Sequence, residues 1–424
     1  MDKPEDDAEA QYEKFVLDNL KRNYAGHFIH GMLGMTGFRL VNAPTFVPAY
    51  LHMLSGSDAI VGLGLALQQL GGIVSPIVGA SSIEHRPRVL SVSMWMGTLM
   101  RVQILGMALA GWLLSGTPLL IAIMFFLFML GLFTGTQRVA FQYLLAKVIP
   151  IARRGRLQGW RNMTGGLIAA TLSYFAGVWF VGPNLFGNGY GVTFLTAFVL
   201  TSAGLTIFAL LMREPVPPTL RPRMRLGERL REFPAMLMAD ADFMWFMVAR
   251  TFAMAGRVAA PFYILYVSTT MPLTGHNIGL LSFAYLMADT VTNLLWGYLS
   301  DKSGFKSTMV IALIVWVGST VLLMASGDIW MIFLSFFGLG AAQSGYMMSS
   351  QNIVFEFGHR DDMAMRLAIS NTAESLMAAL GPLAGGLIAA ASGYATVFWL
   401  SILFEVAALA LMILRVREPR LRKR

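Results

Sequence analysis

Twelve stretches of this chain are apolar for long enough to cross a lipid bilayer. A spanning helix needs about 20 apolar residues. The stretches run near 27–51, 59–80, 89–114, 119–147, 162–181, 191–212, 243–268, 277–299, 307–325, 329–355, 367–391 and 396–414. Turn residues separate several of them: Ser55-Gly56-Ser57, Ser115-Gly116-Thr117-Pro118, Gly182-Pro183-Asn184, Ser326-Gly327-Asp328 and Ser392-Gly393. A soluble fold is excluded, because only 13% of the 424 residues are charged, against about 25% in an ordinary soluble domain. The expected class is an all-α membrane protein with twelve transmembrane helices. There is no cysteine, which removes disulfides, thiolate metal sites and cysteine nucleophiles. The first twenty residues are acidic (Asp2, Glu5, Asp6, Asp7, Glu9, Glu13, Asp18), which argues against a cleavable signal peptide.

The basic residues are strictly partitioned. Five lie inside apolar segments: Arg39, Arg101, Arg138, Arg250 and Arg257. All the others lie in the N-terminal tail, in the even-numbered loops or in the C-terminal tail. The odd-numbered loops hold none. The positive-inside rule then puts both termini in the cytoplasm of a multi-pass protein of a plasma or bacterial inner membrane. The net charge of +9 is therefore assigned to topology and anionic-lipid contact, and no nucleic-acid partner is expected. Charge and hydropathy divide the chain into a cytoplasmic tail (1–26), a six-helix bundle (27–212), a basic cytoplasmic linker (213–242), a second six-helix bundle (243–414) and a basic tail (415–424). In the linker, Leu226, Leu230, Phe233 and Leu237 recur at helical spacing among arginines, which suggests a helix lying on the membrane or an ordinary solvated linker. Phe15, Val16 and Leu20 hint at a similar helix before the first segment.

The two halves repeat each other. Both end in Arg-Glu-Pro, at 213–215 and 417–419. Segments 1 and 7 each carry a central arginine followed by Ala-Pro: Arg39 before Ala43-Pro44, and Arg257 before Ala260-Pro261. The loops after segments 4 and 10 lead into Arg156-Leu157 and Arg366-Leu367. Such duplication implies two pseudo-symmetric six-helix bundles. A further match, Gly-Gly-Leu-Ile-Ala-Ala at 165–170 and 385–390, falls at non-equivalent places and is a coincidence of small residues.

Residues 297–306 read GYLSDKSGFK, between segments 8 and 9. Gly297, Leu299, Asp301, Lys302, Gly304 and Lys306 fit the pattern Gly-x-Leu-x-Asp-(Arg/Lys)-x-Gly-x-(Arg/Lys). This loop, with twelve segments in two groups of six and a basic central linker, resembles the major facilitator superfamily over nearly the whole chain. The resemblance implies a gating latch, with Asp301 near the N-terminus of helix 11, where a helix dipole favours an anion. The first-half copy, GASSIEHRPR at 79–88, departs from the pattern: Glu84 is one position late, Arg86 replaces a glycine, and Arg88 fits the last basic position. The helix 5 motif of drug–proton antiporters is also missing, although a partial version stands at Gly381-Pro382-Leu383-Ala384-Gly385-Gly386 in segment 11.

Ionisable groups at membrane depth are costly and mark functional sites. The resemblance assigns helices 1, 4, 7 and 10 to the central cavity, hence Arg39, Arg138, Arg250 and Arg257. Arg250 and Arg257 are seven apart, on one helical face. Thr134, Gln137, Arg138 and Gln142 share a face of segment 4. Arg39 and Arg257 are near-equivalent in the repeat, and a facing arginine pair resembles organophosphate–phosphate antiporters of the superfamily. Guanidinium groups suit bidentate capture of a carboxylate or phosphate. Asn42, Gln343 and Tyr346 complete the expected substrate set. Asp289 with Asn293, and Glu374 near Asn371, are the expected coupling or ion-pair residues, able either to neutralise an arginine or to carry a proton. Arg101 and Glu405 sit in peripheral segments and are assigned to structure, and His27, His30 and His52 to the interface with no metal set completed.

No phosphate-binding loop and no catalytic arrangement occur, so neither an enzyme nor an ATP-driven pump is expected, and no cofactor. The expectation is a monomeric secondary transporter working by alternating access on a small organic anion, by exchange or with protons. The alternatives are efflux of amphipathic compounds through a wall rich in Met and Phe (29 of each), and a non-transporting sensor on the same fold.

Overall fold

Inside a bilayer the backbone must satisfy its own hydrogen bonds, so each apolar segment is driven into helix. The structure, a computed structural model, describes residues 4–83, 86–216, 240–357 and 363–417, and among them every regular element is helical. In chain order these are α1 (Pro4–Asp18), α2 (Leu20–Asn42), α3 (Phe46–Ser55), α4 (Asp58–Ile83), α5 (Leu90–Leu113), α6 (Gly116–Val148), α7 (Ile151–Phe175), α8 (Gly189–Leu211), α9 (Ala241–Gly256), α10 (Tyr263–Thr270), α11 (Gly275–Ser303), α12 (Phe305–Ala325), α13 (Ile329–Asn352), α14 (Met363–Ser392) and α15 (Tyr394–Leu414). A π turn, Ala176–Val181, extends α7. The linker residues Leu226, Leu230, Phe233 and Leu237 lie outside the described residues.

Among the described residues nine helices are long and apolar enough to span a membrane: α5, α6, α7 with its π turn, α8 and α11–α15. The second expected span is α4, whose described apolar part is Asp58–Ile73. The first and seventh are broken in the middle, which accounts for twelve. Segment 1 stops at Asn42 and resumes at Phe46, around Ala43-Pro44-Thr45. Segment 7 stops at Gly256, runs through the 3-10 turn Arg257–Phe262 with Pro261 inside it, and resumes at Tyr263. Proline lacks an N–H and disfavours helical geometry in the residue before it, so both interruptions follow from the repeated Ala-Pro. Polar groups near each break are met by hydroxyls. Thr45 and Ser282 share a hydrogen bond of 2.6 Å, and Ser401 donates to the Gly256 carbonyl.

Two compact units do not follow chain order. The first comprises Met1–Asn42, Leu70–Ala169 and Asn184–Met224; the second comprises Ala43–Gln69, Ala170–Pro183 and Arg225–Arg424. In the first, α2 packs along α8 and α5 along both α6 and α8. Leu20, Leu144, Leu145, Val148, Ile149, Leu157, Phe208 and Met212 form its buried apolar cluster. Glu214, from the repeated Arg-Glu-Pro, accepts the free backbone N–H groups of Val89 and Leu90 at 2.8–2.9 Å and pairs with Lys147 at 2.7 Å. A carboxylate at a helix start satisfies orphan donors and the dipole together. In the second unit α13 packs between α11 and α12, and α15 against α9.

Close helix crossings in the second unit depend on glycine. A Cβ on Gly62 would stand 2.2 Å from the Pro382 carbonyl oxygen, and one on Gly386 would stand 2.6 Å from that of Asp58. Gly177 and Gly279 serve the same purpose where the π turn crosses α11. Substituting Gly62→Val should therefore cost about 1–3 kcal/mol of stability, since overpacked sites behave so. Thermal unfolding in detergent checks this, with Gly318→Ala, which faces open space, expected to leave the midpoint unchanged or raised.

Candidate functional site

The second unit gathers charged and aromatic side chains around the broken helix. Arg250, on α9, is 1% exposed. Its guanidinium bonds Ser370 and forms an ion pair with Glu374, both on α14. Tyr346, on α13, is buried and stands in the field of Arg250, Arg257 and Glu374. Trp316, on α12, meets Tyr346 edge-on with ring centroids 6.5 Å apart. Four helices and one turn thus converge on one cluster.

Arg257 behaves differently from Arg250. It is half-buried, the first residue of the 3-10 turn. Its Nη1 lies 3.6 Å from the Met254 sulfur and 4.0 Å from that of Met347, and its Cζ lies 5.8 Å from the Trp316 ring centroid. Among the described residues no carboxylate is within ion-pair range of it. Thioethers and an aromatic face hold a guanidinium softly and leave its donor fork open. On α13, Gln343 Oε1 and the hydroxyls of Ser344 and Ser350 are buried without hydrogen-bond partners among the described residues. A cation in soft contact with Met347, on the helix that carries these unspent polar groups, can receive an anion with further hydrogen-bonding groups.

The sequence-predicted residues distribute unevenly. Arg250, Arg257, Tyr346 and Glu374 come together, and Gln343 lies on the same helix as Tyr346. α9 ends at Gly256, between Arg250 and Arg257, so Arg257 stands at the start of the 3-10 turn. The expected polar face of segment 4 also divides. Gln137 is buried and donates to Ser93 at 3.3 Å, whereas Arg138 and Gln142 are exposed. The helical period placed these four together, but a one-residue step turns the side chain by about 100°. Arg39 is part-buried and Asn42 is exposed, donating to the Phe38 carbonyl at the end of α2. Asp289 and Asn293 are part-buried on α11. The side chain of Asn371 and all of Glu84 lie outside the described residues. Arg86 and Arg88 are exposed, as are Asp301 and Lys302 at the end of α11. Gly304 turns the chain into α12 with φ +88°, a conformation that glycine alone adopts at no steric cost, and Ser300 and Thr308 share a hydrogen bond across the turn. Gly297 faces open space and Lys306 is part-buried.

Several further polar groups are buried outside this cluster. His27 and His30 are buried between Phe141 and Phe208, with Arg161 over the Phe141 ring. Arg101 is 2% exposed and spends its donors on the carbonyls of Thr201 and Gly97. Glu405, a lone acid in the apolar helix α15, is 1% exposed beside Gly256. The signal for Glu405 was present in its isolation among apolar residues.

Comparison with known proteins follows the same lines. Residues 245–424 match the family model of the Major Facilitator Superfamily. The multidrug resistance protein MdtG of Salmonella schwarzengrund is 26% identical over 399 residues, covering 90% of this chain and 92% of that protein. Among solved structures, a mutant of the nucleoside transporter NupG superposes with a TM-score of 0.73 at 14% identity, covering 93% of this chain and 100% of that one. A D-xylose-proton symporter gives 0.71 at 14% identity, covering 95% and 99%.

Removing Glu374 strands the buried Arg250 charge. Glu374→Ala should lower stability by about 3–5 kcal/mol, the usual consequence of breaking one partner from a buried pair. The double substitution Arg250→Leu with Glu374→Leu should recover most of it, measured by thermal unfolding of both variants in detergent.

Proposed function

We propose, for a chain that belongs to the major facilitator superfamily, that it moves a small organic anion across the membrane by alternating access, with Arg257 recognising the negative charge. One observation carries this reading. Arg257 is a membrane-depth arginine whose contacts among the described residues are thioethers and an indole face, in a helix interrupted by Pro261. Interrupted helices at corresponding places in two repeats are the strongest sequence pointer to a secondary-transport site. Arg39 precedes the matching interruption in segment 1 and supplies the second charge in this reading, with Arg138, Gln343 and Tyr346 orienting the ligand. Arg250 supports the site through its pair with Glu374.

Two six-helix bundles, spanning 27–212 and 243–414, would rock around this site. The basic residues of the even-numbered loops and the tails support cytoplasmic termini in a plasma or bacterial inner membrane. Asp301 and Lys302, with the first-half loop at Arg86 and Arg88, would act in gating. The transporter is read as a monomer, exchanging its substrate or coupling it to protons.

A second reading is efflux of amphipathic compounds. It is supported by the 26% identity to a multidrug resistance protein and by the methionines around Arg257. Met-rich surfaces adapt to many apolar shapes.

Counterflow of labelled carboxylates and phosphate esters into proteoliposomes tests the first reading. Arg257→Ala and Arg39→Ala should each cut transport about tenfold or more, the scale set by losing a charged hydrogen bond. Undiminished anion transport in both folded variants would sink it. Raised tolerance of expressing cells to a panel of toxic amphiphiles, unaffected by Arg257→Ala, would favour the second.

A further inference from the structure

Glu405 has no role in the site as described above, yet its surroundings are unusual. The side chain is 1% exposed, on a helix that packs against α9, α12, α14 and the turn Arg257–Phe262. It lies directly over Gly256, where an added Cβ would meet Glu405 Cγ at 2.5 Å. Oε1 is 3.4 Å from the Ser401 hydroxyl, which donates its closer bond to the Gly256 carbonyl. Oε2 has no hydrogen-bond partner among the described residues. An ionised carboxylate with so little compensation is too costly to keep in a dry interior, and such a group neutralises instead. Gly256 and Arg257 are the hinge at which the helix breaks. The acid and the Arg257 guanidinium therefore share one piece of irregular backbone.

We propose that Glu405 is a proton-binding site that competes with the transported anion for Arg257. With Glu405 protonated, Arg257 keeps its donor fork for the ligand. When Glu405 releases its proton, the carboxylate becomes a countercharge for Arg257 and draws it away. Proton and anion binding then favour each other, and linkage makes the effect reciprocal. The coupling sense is movement of anion and proton in the same direction. This deepens the anion reading and rests on it.

The neighbours of Glu405 fit a local switch. Arg257 from the turn and Tyr263 from α10 are the titratable groups whose fields act on it. The Tyr263 hydroxyl accepts from Trp316 at 3.1 Å and lies 3.2 Å from that of Thr320, so α12 presents neutral groups. Glu374 of α14 is occupied by Arg250 of α9. Arg257 is thus the cation among the described groups whose field acts on this acid.

Infrared difference spectroscopy of the full-length protein in liposomes, stepped in pH without any ligand, tests the proposal. The wild type should show the carbonyl stretch of a protonated carboxyl at pH values where surface carboxylates are ionised, and lose it as pH rises. Glu405→Gln should abolish that band, and Glu405→Asp should keep it at a shifted position. Arg257→Ala should move its loss upward by about one pH unit or more, the shift expected when an opposite charge is removed. If the glutamine variant does not fold, the Asp and Arg257→Ala arms still decide. A wild-type spectrum lacking the band, a band that survives Glu405→Gln, or a titration unmoved by Arg257→Ala would overturn the proposal. No transport is measured, so this failure is distinct from a failure of the anion reading.

Discussion

A guanidinium buried at membrane depth has no water to turn to, so its partners must come from the protein. That constraint organises the structure. Arg250 is met by Glu374 and Ser370, and Arg101 by the carbonyls of Thr201 and Gly97. Each arrangement joins two or more helices, so each buried charge also fixes a helix contact. Arg257 stands apart, with soft contacts to sulfur and indole and no carboxylate in range among the described residues. A group left incompletely satisfied in such a setting is where function is to be sought.

The broken helices serve the same constraint. Pro44 and Pro261 release backbone groups that an unbroken helix would satisfy, and hydroxyls such as Ser401 take them up. Irregular backbone at membrane depth is tolerated only where protein or a wet cavity surrounds it. It also gives the chain a joint. Arg257 sits at one joint, and Glu405 leans against the same residue, Gly256, from a neighbouring helix.

Much of this was legible in the sequence, for physical reasons that also mark where it stopped. Hydropathy finds spans because a bilayer demands long apolar runs, and the spans were found. The repeated Ala-Pro was visible, yet its consequence was missed: a hydropathy window registers composition, and Ala-Pro inside an apolar run does not lower it. The meeting of Gly62 with Gly386 depends on two helices far apart in sequence, so no local pattern announces it. The face shared by Gln137 and Arg138 dissolved because burial is set by neighbours, which spacing alone does not supply. Glu405 was set aside because its helix is peripheral in the family's plan, although a lone acid in so apolar a helix was itself a signal. Glu214 stood in a visible repeat, but its use as a helix cap needed the start of α5 beside it.

The central claim is that Arg257 is the charge-reading group of an anion site. The most direct measurement is ligand-dependent thermal stabilisation of the purified protein, screened with small carboxylates, phosphate esters and amphipathic cations. A bound ligand raises the midpoint by mass action. The expected result is stabilisation of the wild type by at least one anion, lost in Arg257→Ala and kept in Arg153→Ala, at an exposed position outside the site. Stabilisation by cations or amphiphiles alone, or by an anion whose effect survives Arg257→Ala, would contradict it.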